Sequence, residues 1–167
     1  MKRLVYLISP NRIYKSFYKD LKKVLEYNNV KFFQLRIKKT SNDNLIRIAK
    51  KIAKITKKYN VKLIINDNAK VAKKIKADGC HLGQSDESII EVNKYFKNKI
   101  IGVTCHNSKK LAQIAIKNKA KYVAFGSFYN SKLKPKAIKA DLKVLKWAKI
   151  NIQMPIVAIG GITDKNY

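Results

Sequence analysis

The sequence predicts an α/β fold in which parallel strands alternate with helices. Short apolar, β-branched runs recur seven times along the chain, and segments with helical periodicity lie between them. Few hairpin signals join the strands, so neighbouring strands are expected to pair in parallel through helical crossovers. Seven such units are more than most doubly wound sheets contain, which favours a (β/α)8 TIM barrel.

Each element is predicted from its own residues. The clearest helix has apolar residues at helical spacing from Leu45 to Ile55 and follows a Ser41-Asn42-Asp43 capping cluster. The other helices are predicted over 14–27, 69–76, 87–97, 108–118 and 140–149. The strands are predicted to centre on Val5, Phe33, Leu63, the Cys80–Leu82 stretch, Ile101, Val123 and Val157.

The predicted barrel is incomplete at its carboxyl end. A (β/α)8 barrel has eight units and takes about 250 residues, whereas the seventh predicted strand and its Gly160-Gly161 turn come just before Tyr167. We therefore expect residues 1–167 to form a single TIM-barrel domain that is truncated after the seventh strand and lacks the last helix-strand-helix unit. The one long polar loop is expected between Asn130 and Lys139.

Composition excludes several classes of protein. The 167 residues carry 38 basic and 10 acidic side chains, a formal charge of +28, yet 46% are hydrophobic, so the charge must coat a folded core. Only four basic residues are arginine and none of the charge forms a block, which argues against a specific nucleic-acid partner. Anionic small substrates would still be attracted to such a surface.

Apolar runs and cysteine content indicate where in the cell the protein is expected to lie. No apolar stretch approaches the roughly 18–20 residues that span a bilayer, so no membrane association is expected. The two cysteines, Cys80 and Cys105, lie inside apolar strand-like runs and do not resemble a disulfide framework. The sequence therefore predicts a cytoplasmic protein, for which an oligomer is possible.

Polar residues recur where the second predicted strand ends. Strand alternation would place Gln34, Arg36 and Lys38 on one face of the sheet. Two cations facing inward are costly unless they meet an anion, which suggests a phosphate or pyrophosphate site. A cation reaching solvent, or a structural ion pair, would give the same pattern.

Two of the ten carboxylates follow consecutive strands. Asp67 comes after the third strand, directly behind Asn66, and Asp86 comes after the fourth. As a pair they are candidates for Mg²⁺, which proteins hold with one or two carboxylates, waters and substrate phosphates. Either residue alone is also a common helix cap or turn residue.

Later strands end in further candidate anion contacts. The fifth ends in Thr104, whose hydroxyl can bind a phosphate oxygen, and in His106, either an acid–base group or a turn residue. A Ser- and Lys-containing loop follows Phe125, and the Gly160-Gly161 turn follows the seventh strand, where backbone N–H groups can approach a phosphate.

These motifs, in this order, resemble the thiamine phosphate synthase family over essentially the whole chain. The motifs that carry the resemblance are Gln34-Leu35-Arg36-x-Lys38, Ile65-Asn66-Asp67, Ala77-Asp78-Gly79-x-His81-Leu82-Gly83-Gln84-x-Asp86, Gly102-Val103-Thr104-x-His106, Phe125-Gly126 and Val157-Ala158-Ile159-Gly160-Gly161-Ile162.

The resemblance implies a transferase and its small-molecule substrates. It would join 4-amino-2-methyl-5-hydroxymethylpyrimidine diphosphate to a thiazole phosphate, releasing pyrophosphate and forming thiamine monophosphate by a dissociative mechanism. By the same resemblance, Mg²⁺ would be the cofactor. The residues implied are Asp67 and Asp86 for the metal, Arg36, Lys38 and Lys134 for catalysis, and Gln34, Arg36, Lys38, Asn66, Thr104, Ser131, Lys134 and Gly160 for the substrates.

The sequence departs from the family pattern at three places. Ile37 stands where the family has Glu, Thr104 where it has Ser, and Leu133 replaces a hydroxyl residue in the loop before Lys134. Two alternatives stay open: an inactive or ligand-binding remnant of the family, and an isomerase like the related thiazole tautomerase, which uses a histidine at the position of His106.

Overall fold

The described residues confirm the alternation of strands and helices. The structure is a computed structural model that describes residues 4–27, 29–130, 137–163 and 165–166. The described strand pairings are all parallel, as predicted. The strands are β1 Val5–Ile8, β2 Val30–Leu35, β3 Lys62–Asn66, β4 Gly79–Leu82, β5 Ile100–His106, β6 Tyr122–Phe125 and β7 Ile156–Ala158. The helices are α1 Phe17–Leu25, α2 Asn42–Lys58, α3 Ala69–Lys74, α4 Ile89–Tyr95, α5 Lys109–Lys117 and α6 Leu142–Asn151.

Strand β2 is shorter in the structure than the sequence pattern predicts. The alternation was expected to continue to Lys38, but β2 ends at Leu35. Beyond that point the backbone N–H groups of Arg36 and Lys38 donate to the side chains of Ser9 and Asn11, at 2.9 and 2.7 Å, and not to a neighbouring strand. The backbone pairing of β2 ends here because side chains from the segment after β1, and not strand carbonyls, accept these hydrogen bonds.

The chain divides into two compact units. The first comprises residues 1–81 and 96–99, and the second comprises residues 82–95 and 100–167. In the first unit β1, β2, β3 and the β4 residues Gly79–His81 pair in chain order. In the second unit β5, β6 and β7 pair in chain order. The expectation of a single domain stays a prediction.

Helices α1 and α2 cover one side of the sheet in the first unit. The buried residues of α1 are Phe17, Leu21 and Leu25, spaced at one turn. The Phe17 ring lies 6.2 Å from the Phe33 ring of β2, so Phe33 is on the helix-covered side. Because strand side chains alternate, Gln34 lies on the opposite side of the sheet.

Several helices begin at polar side chains that cap their first turn. Ser41 accepts a hydrogen bond from the Asn44 N–H at 3.3 Å, which confirms the predicted start of α2. Asn68, Ser108 and Asp141 cap α3, α5 and α6 in the same way. Each cap satisfies a backbone donor that has no partner within the helix.

Three helices end in the same left-handed turn that leads into the next strand. Asn60, Lys76 and Lys119 have φ between 54° and 64° and follow α2, α3 and α5. In each case the next residue donates its N–H back into the helix, as Ala120 does to the Ala115 carbonyl at 3.0 Å. This is a Schellman turn, in which glycine is the residue favoured at the left-handed position.

A glycine in β5 makes room for an aromatic ring of β6 in the second unit. The Tyr122 ring occupies the space where a side chain at Gly102 would lie. Tyr122 is 2% exposed, so its ring is buried against the backbone of Gly102. None of the helices in the described part of the chain is long and apolar enough to cross a membrane.

Replacing Lys119 by glycine should stabilise the protein by about 0.5–1 kcal/mol, because glycine adopts the left-handed conformation without a Cβ clash. The matched control is Lys117→Gly within α5, which should destabilise by a similar amount. Urea unfolding of both variants measures the two changes. Destabilisation by Lys119→Gly would contradict the Schellman assignment.

Burial also fixes the protonation of a cysteine in β5. Desolvation raises the pKa of the Cys105 thiol from 9.0 to about 12. The folded state therefore holds this proton while the unfolded chain releases it, so the stability that the buried thiol contributes is present below pH 9 and is lost as pH rises from about 9 to 12.

Unfolding free energies measured between pH 9 and 11 should fall more steeply for the natural chain than for Cys105→Ala, by up to about 1.4 kcal/mol per pH unit. The lysine titrations are common to both chains and cancel in the comparison. Parallel curves would show that the Cys105 thiol is not buried as described.

Candidate active site

The carboxyl ends of β2 and β3 are joined by a side-chain hydrogen bond. The Gln34 Nε2 donates to the Asn66 Oδ1 at 2.6 Å, and Gln34 is 3% exposed. Gln34 is in register with Ile64, and Asn66 lies two residues further along β3, so both amides share the side of the sheet that faces away from α1. A buried amide requires such a partner, and the parallel register supplies it.

Lys38 reaches the end of the neighbouring strand. Its Nζ lies 3.6 Å from the Asp67 Oδ2, and the two side chains are 47% and 34% exposed. An ion pair this accessible to water contributes little to stability. It instead brings a cation and a carboxylate together next to the Gln34–Asn66 pair.

The backbone at Asp67 is held in an uncommon conformation. Its φ is +62°, and its N–H donates to the His81 carbonyl of β4 at 2.8 Å. The Asn68 N–H then folds back to the Asn66 carbonyl at 2.8 Å. Left-handed non-glycine residues with such constraints concentrate at functional sites, and Asp and Asn tolerate this conformation best.

Asp86 and Thr104 lie in the second unit, each with a defined neighbour. The Asp86 Oδ2 accepts a hydrogen bond from the Gly83 N–H at 2.6 Å, so this carboxylate closes the turn after β4. The Gln84 Nε2 donates to the Thr104 carbonyl at 2.5 Å, which ties this turn to β5. Thr104 itself is half-buried. One oxygen of Asp86 is therefore committed to the turn, as the alternative interpretation of this residue anticipated.

Asp67 lies in the first unit and Asp86 in the second, so the Mg²⁺ site that they are expected to share stays a prediction. Within the described ranges, no group of three or more His, Cys, Asp and Glu side chains could hold a metal. Zinc sites need three or four protein ligands, whereas Mg²⁺ takes one or two carboxylates and completes its shell with water and phosphate oxygens. Asp67 and Asp86 offer carboxylate oxygens of the kind that Mg²⁺ prefers.

The Gly160-Gly161 turn packs against the segment that follows β6. The Gly160 carbonyl accepts from the Tyr129 N–H at 2.9 Å, and a Cβ at Gly160 would come 2.6 Å from the Ser127 Cα. Gly160 has φ +94° and Gly161 φ +66°. Both glycines are therefore required by the backbone itself, whether or not a phosphate binds there.

The other candidates from the sequence are the loop after β6, His106 and Cys105. Ser131 and Lys134, with the departure at Leu133, lie outside the described residues. His106 ends β5 with φ +51°, and its carbonyl accepts from the Gly126 N–H at 3.2 Å. Cys105 is buried and its pKa is raised, which is consistent with a packing role and excludes a thiolate nucleophile at neutral pH.

Sequence reasoning missed two residues that shape this site. Ser9 and Asn11 follow β1, and their side-chain oxygens fix the backbone at Arg36 and Lys38. They meet the criterion that identified the other candidates, namely polar residues directly after a strand. Together with the Gln34–Asn66 pair they give a fixed polar framework with cationic side chains, which suits binding of a phosphorylated anion.

Comparison with known proteins agrees with this chemistry. A family model described as thiamine monophosphate synthase matches residues 5–167. The chain is 54% identical to the thiamine-phosphate synthase of Pelagibacter ubique (strain HTCC1062), covering 99% of this chain and 81% of that protein. It is 40% identical to the protein of the same name from Erythrobacter litoralis (strain HTCC2594), covering 97% and 78%.

A solved structure supports the same assignment. Thiamine phosphate pyrophosphorylase from Pyrococcus furiosus matches with a TM-score of 0.86 at 28% identity, covering 98% of this chain and 77% of that one. The match confirms the predicted fold class, a TIM-barrel-type (β/α) fold, and the family resemblance seen in the motifs is confirmed by the family model. The chain belongs to the thiamine monophosphate synthase family.

Proposed function

We propose that this chain catalyses the reaction for which its relatives are named. It would condense 4-amino-2-methyl-5-hydroxymethylpyrimidine diphosphate with thiazole phosphate to give thiamine monophosphate and pyrophosphate. The observation that carries the proposal is the polar end of β2 and β3, where the Gln34–Asn66 bond and the Lys38–Asp67 pair lie on family motifs. A cytoplasmic location belongs to the same proposal.

The diphosphate would bind at this polar end. Lys38, which forms an ion pair with Asp67, supplies one cation. Arg36, two residues earlier, supplies a second one that can pair bidentately with phosphate. Gln34 and Asn66 hold each other in place, so their remaining amide groups need no rearrangement to accept a ligand. Preorganisation of this kind lowers the entropic cost of binding.

Asp67 and Asp86 would hold Mg²⁺. When bound, the metal would neutralise charge on the diphosphate oxygens. Asp67 keeps its carboxylate one-third exposed beside Lys38, and the backbone bonds around it fix the direction from which that carboxylate leaves the chain. In the absence of diphosphate, Lys38 balances the Asp67 charge.

Catalysis would depend on stabilising the leaving group. In a dissociative reaction pyrophosphate departs before the thiazole nitrogen attacks, so the protein needs cations and no side-chain nucleophile. Arg36, Lys38 and Lys134 would carry that role.

The other substrate contacts are proposed from the family motifs. Thr104, Ser131 and Gly160 would bind phosphate oxygens, with Thr104 conserving the hydroxyl of the family serine. Ile37 and Leu133 replace polar family residues with side chains that carry no hydrogen-bonding group. No observation favours the tautomerase or the remnant over a synthase, and the presence of both carboxylate motifs argues for the synthase.

Asp67→Asn and Asp86→Asn should each lower Mg²⁺-dependent turnover by at least about 100-fold, because each removes a charge from the metal site. Asparagine keeps the left-handed backbone at position 67 and an acceptor for Gly83 at position 86. Product formation by the natural chain should stop when a chelator removes Mg²⁺. Chromatography of thiamine monophosphate formed from both substrates provides the measurement.

The matched control is Asp43→Asn, an exposed carboxylate in the first turn of α2, which should keep activity within about twofold. Thermal unfolding confirms that all three variants remain folded. Full activity in either site variant would remove that carboxylate from the metal site, and no product from the natural chain would contradict the synthase proposal.

A further inference from the structure

A second concave site lies beside the proposed diphosphate site in the first unit. A cavity of about 380 Å³ opens between the segment after β1 and the first turns of α2. This volume falls in the range of small-ligand pockets. Among its lining residues, Asn11 and Lys38 also belong to the proposed synthase site. We call it the Arg47 pocket; Asn11, Arg12, Ile13, Ile37, Lys38, Lys39, Thr40, Asn44, Arg47 and Ile48 line it.

The Arg47 pocket carries cations without matching anions. Four of its lining side chains are basic: Arg12, Lys38, Lys39 and Arg47. Lys38 pairs with Asp67, but within the described ranges no carboxylate forms an ion pair with the other three. Like charges gathered around one concavity repel each other, and an anion bound there would relieve that repulsion.

Two neutral side chains, Asn44 and Thr40, orient the Arg47 guanidinium. The Asn44 Oδ1 accepts from the Arg47 Nη2 at 2.8 Å, and the Asn44 Nδ2 donates to the Thr40 Oγ1 at 2.8 Å. The chain of bonds fixes one edge of the guanidinium and leaves other donors for a ligand, since arginine has five. A positioned cation binds an anion at lower entropic cost than a free surface lysine.

The same pocket has an apolar part. Ile48 is 7% exposed, and Ile13 and Ile37 are half-buried. A site for inorganic phosphate alone would not need three isoleucines among ten lining residues. Cations beside an apolar surface match a ligand that has a phosphate at one end and an apolar or aromatic body at the other.

We propose that the Arg47 pocket binds a small phosphate monoester with an apolar or aromatic body. Arg12, Lys39 and Arg47 contact the phosphate, and the three isoleucines contact the body. The site differs from the synthase site in its phosphate contacts, although Asn11 and Lys38 border both. The proposal does not depend on the synthase activity.

Calorimetric titration with phenyl phosphate and with inorganic phosphate tests the site. Phenyl phosphate should bind the natural chain at least about fivefold more tightly than inorganic phosphate, because its ring buries apolar surface in the Arg47 pocket. Arg47→Gln and Arg12→Gln should each weaken phenyl phosphate binding about tenfold or more, the loss typical of a charged hydrogen bond. Two variants on different segments guard against a local folding defect.

Two controls separate this site from its alternatives. Lys54→Gln removes an exposed charge from α2 outside the pocket and should change binding less than twofold. Arg36→Ala and Thr104→Val, both in the proposed synthase site, should also leave phenyl phosphate binding within about twofold. A loss in Lys54→Gln equal to that in Arg47→Gln would indicate only diffuse attraction to lysines and overturn the proposal.

Two further results would also overturn it. A loss in Arg36→Ala or in Thr104→Val as large as that in Arg47→Gln would place the ligand in the synthase site. Equal affinities for phenyl phosphate and inorganic phosphate would show that the isoleucines contact no ligand. Because every arm measures binding, a chain without synthase activity could still show this site, so the two proposals fail independently.

Discussion

The Gln34 amide is buried at the end of β2, and its need for a hydrogen-bond partner constrains the polar end of the first unit. Its partner, Asn66, is available only because β2 and β3 run parallel in the observed register. A shift of one residue would turn Asn66 to the helix-covered side and leave a buried amide unpaired, at a cost of about 1–3 kcal/mol. The register that packs Phe33 against α1 thus also assembles the proposed diphosphate site.

Individual carboxylates support this framework through specific contacts. The chain carries +28, but its few carboxylates are placed where they organise structure. Asp78 accepts the Leu63 N–H of β3, Asp86 closes the turn after β4, and Asp67 offsets Lys38. The Arg47 pocket differs because no carboxylate in the described part of the chain offsets its three remaining cations. The diffuse lysine coat explains general attraction to anions, whereas these two places combine charge with fixed neighbours.

Much of the fold was predictable because the apolar spacing of each strand and helix reflects burial directly. The end of β2 was not, since its pattern continues to Lys38 while the ladder is stopped by Ser9 and Asn11, residues distant in sequence. The candidate residues were predictable as types at strand ends, but their partners depend on register. Neither the Gln34–Asn66 bond nor the Lys38–Asp67 pair can be derived from local sequence. The Arg47 pocket could not be predicted from the sequence because it joins two loops that carry no shared motif.

The polar end of β2 and β3 is the proposed diphosphate site, and calorimetry on Arg36→Ala tests this assignment most directly. The variant should bind the pyrimidine diphosphate about tenfold or more weakly and bind thiazole phosphate within about twofold of the natural chain. Lys31→Ala, an exposed cation near the other end of β2, is the control and should change neither affinity. Equal loss of both ligands, or unchanged diphosphate affinity, would contradict the account.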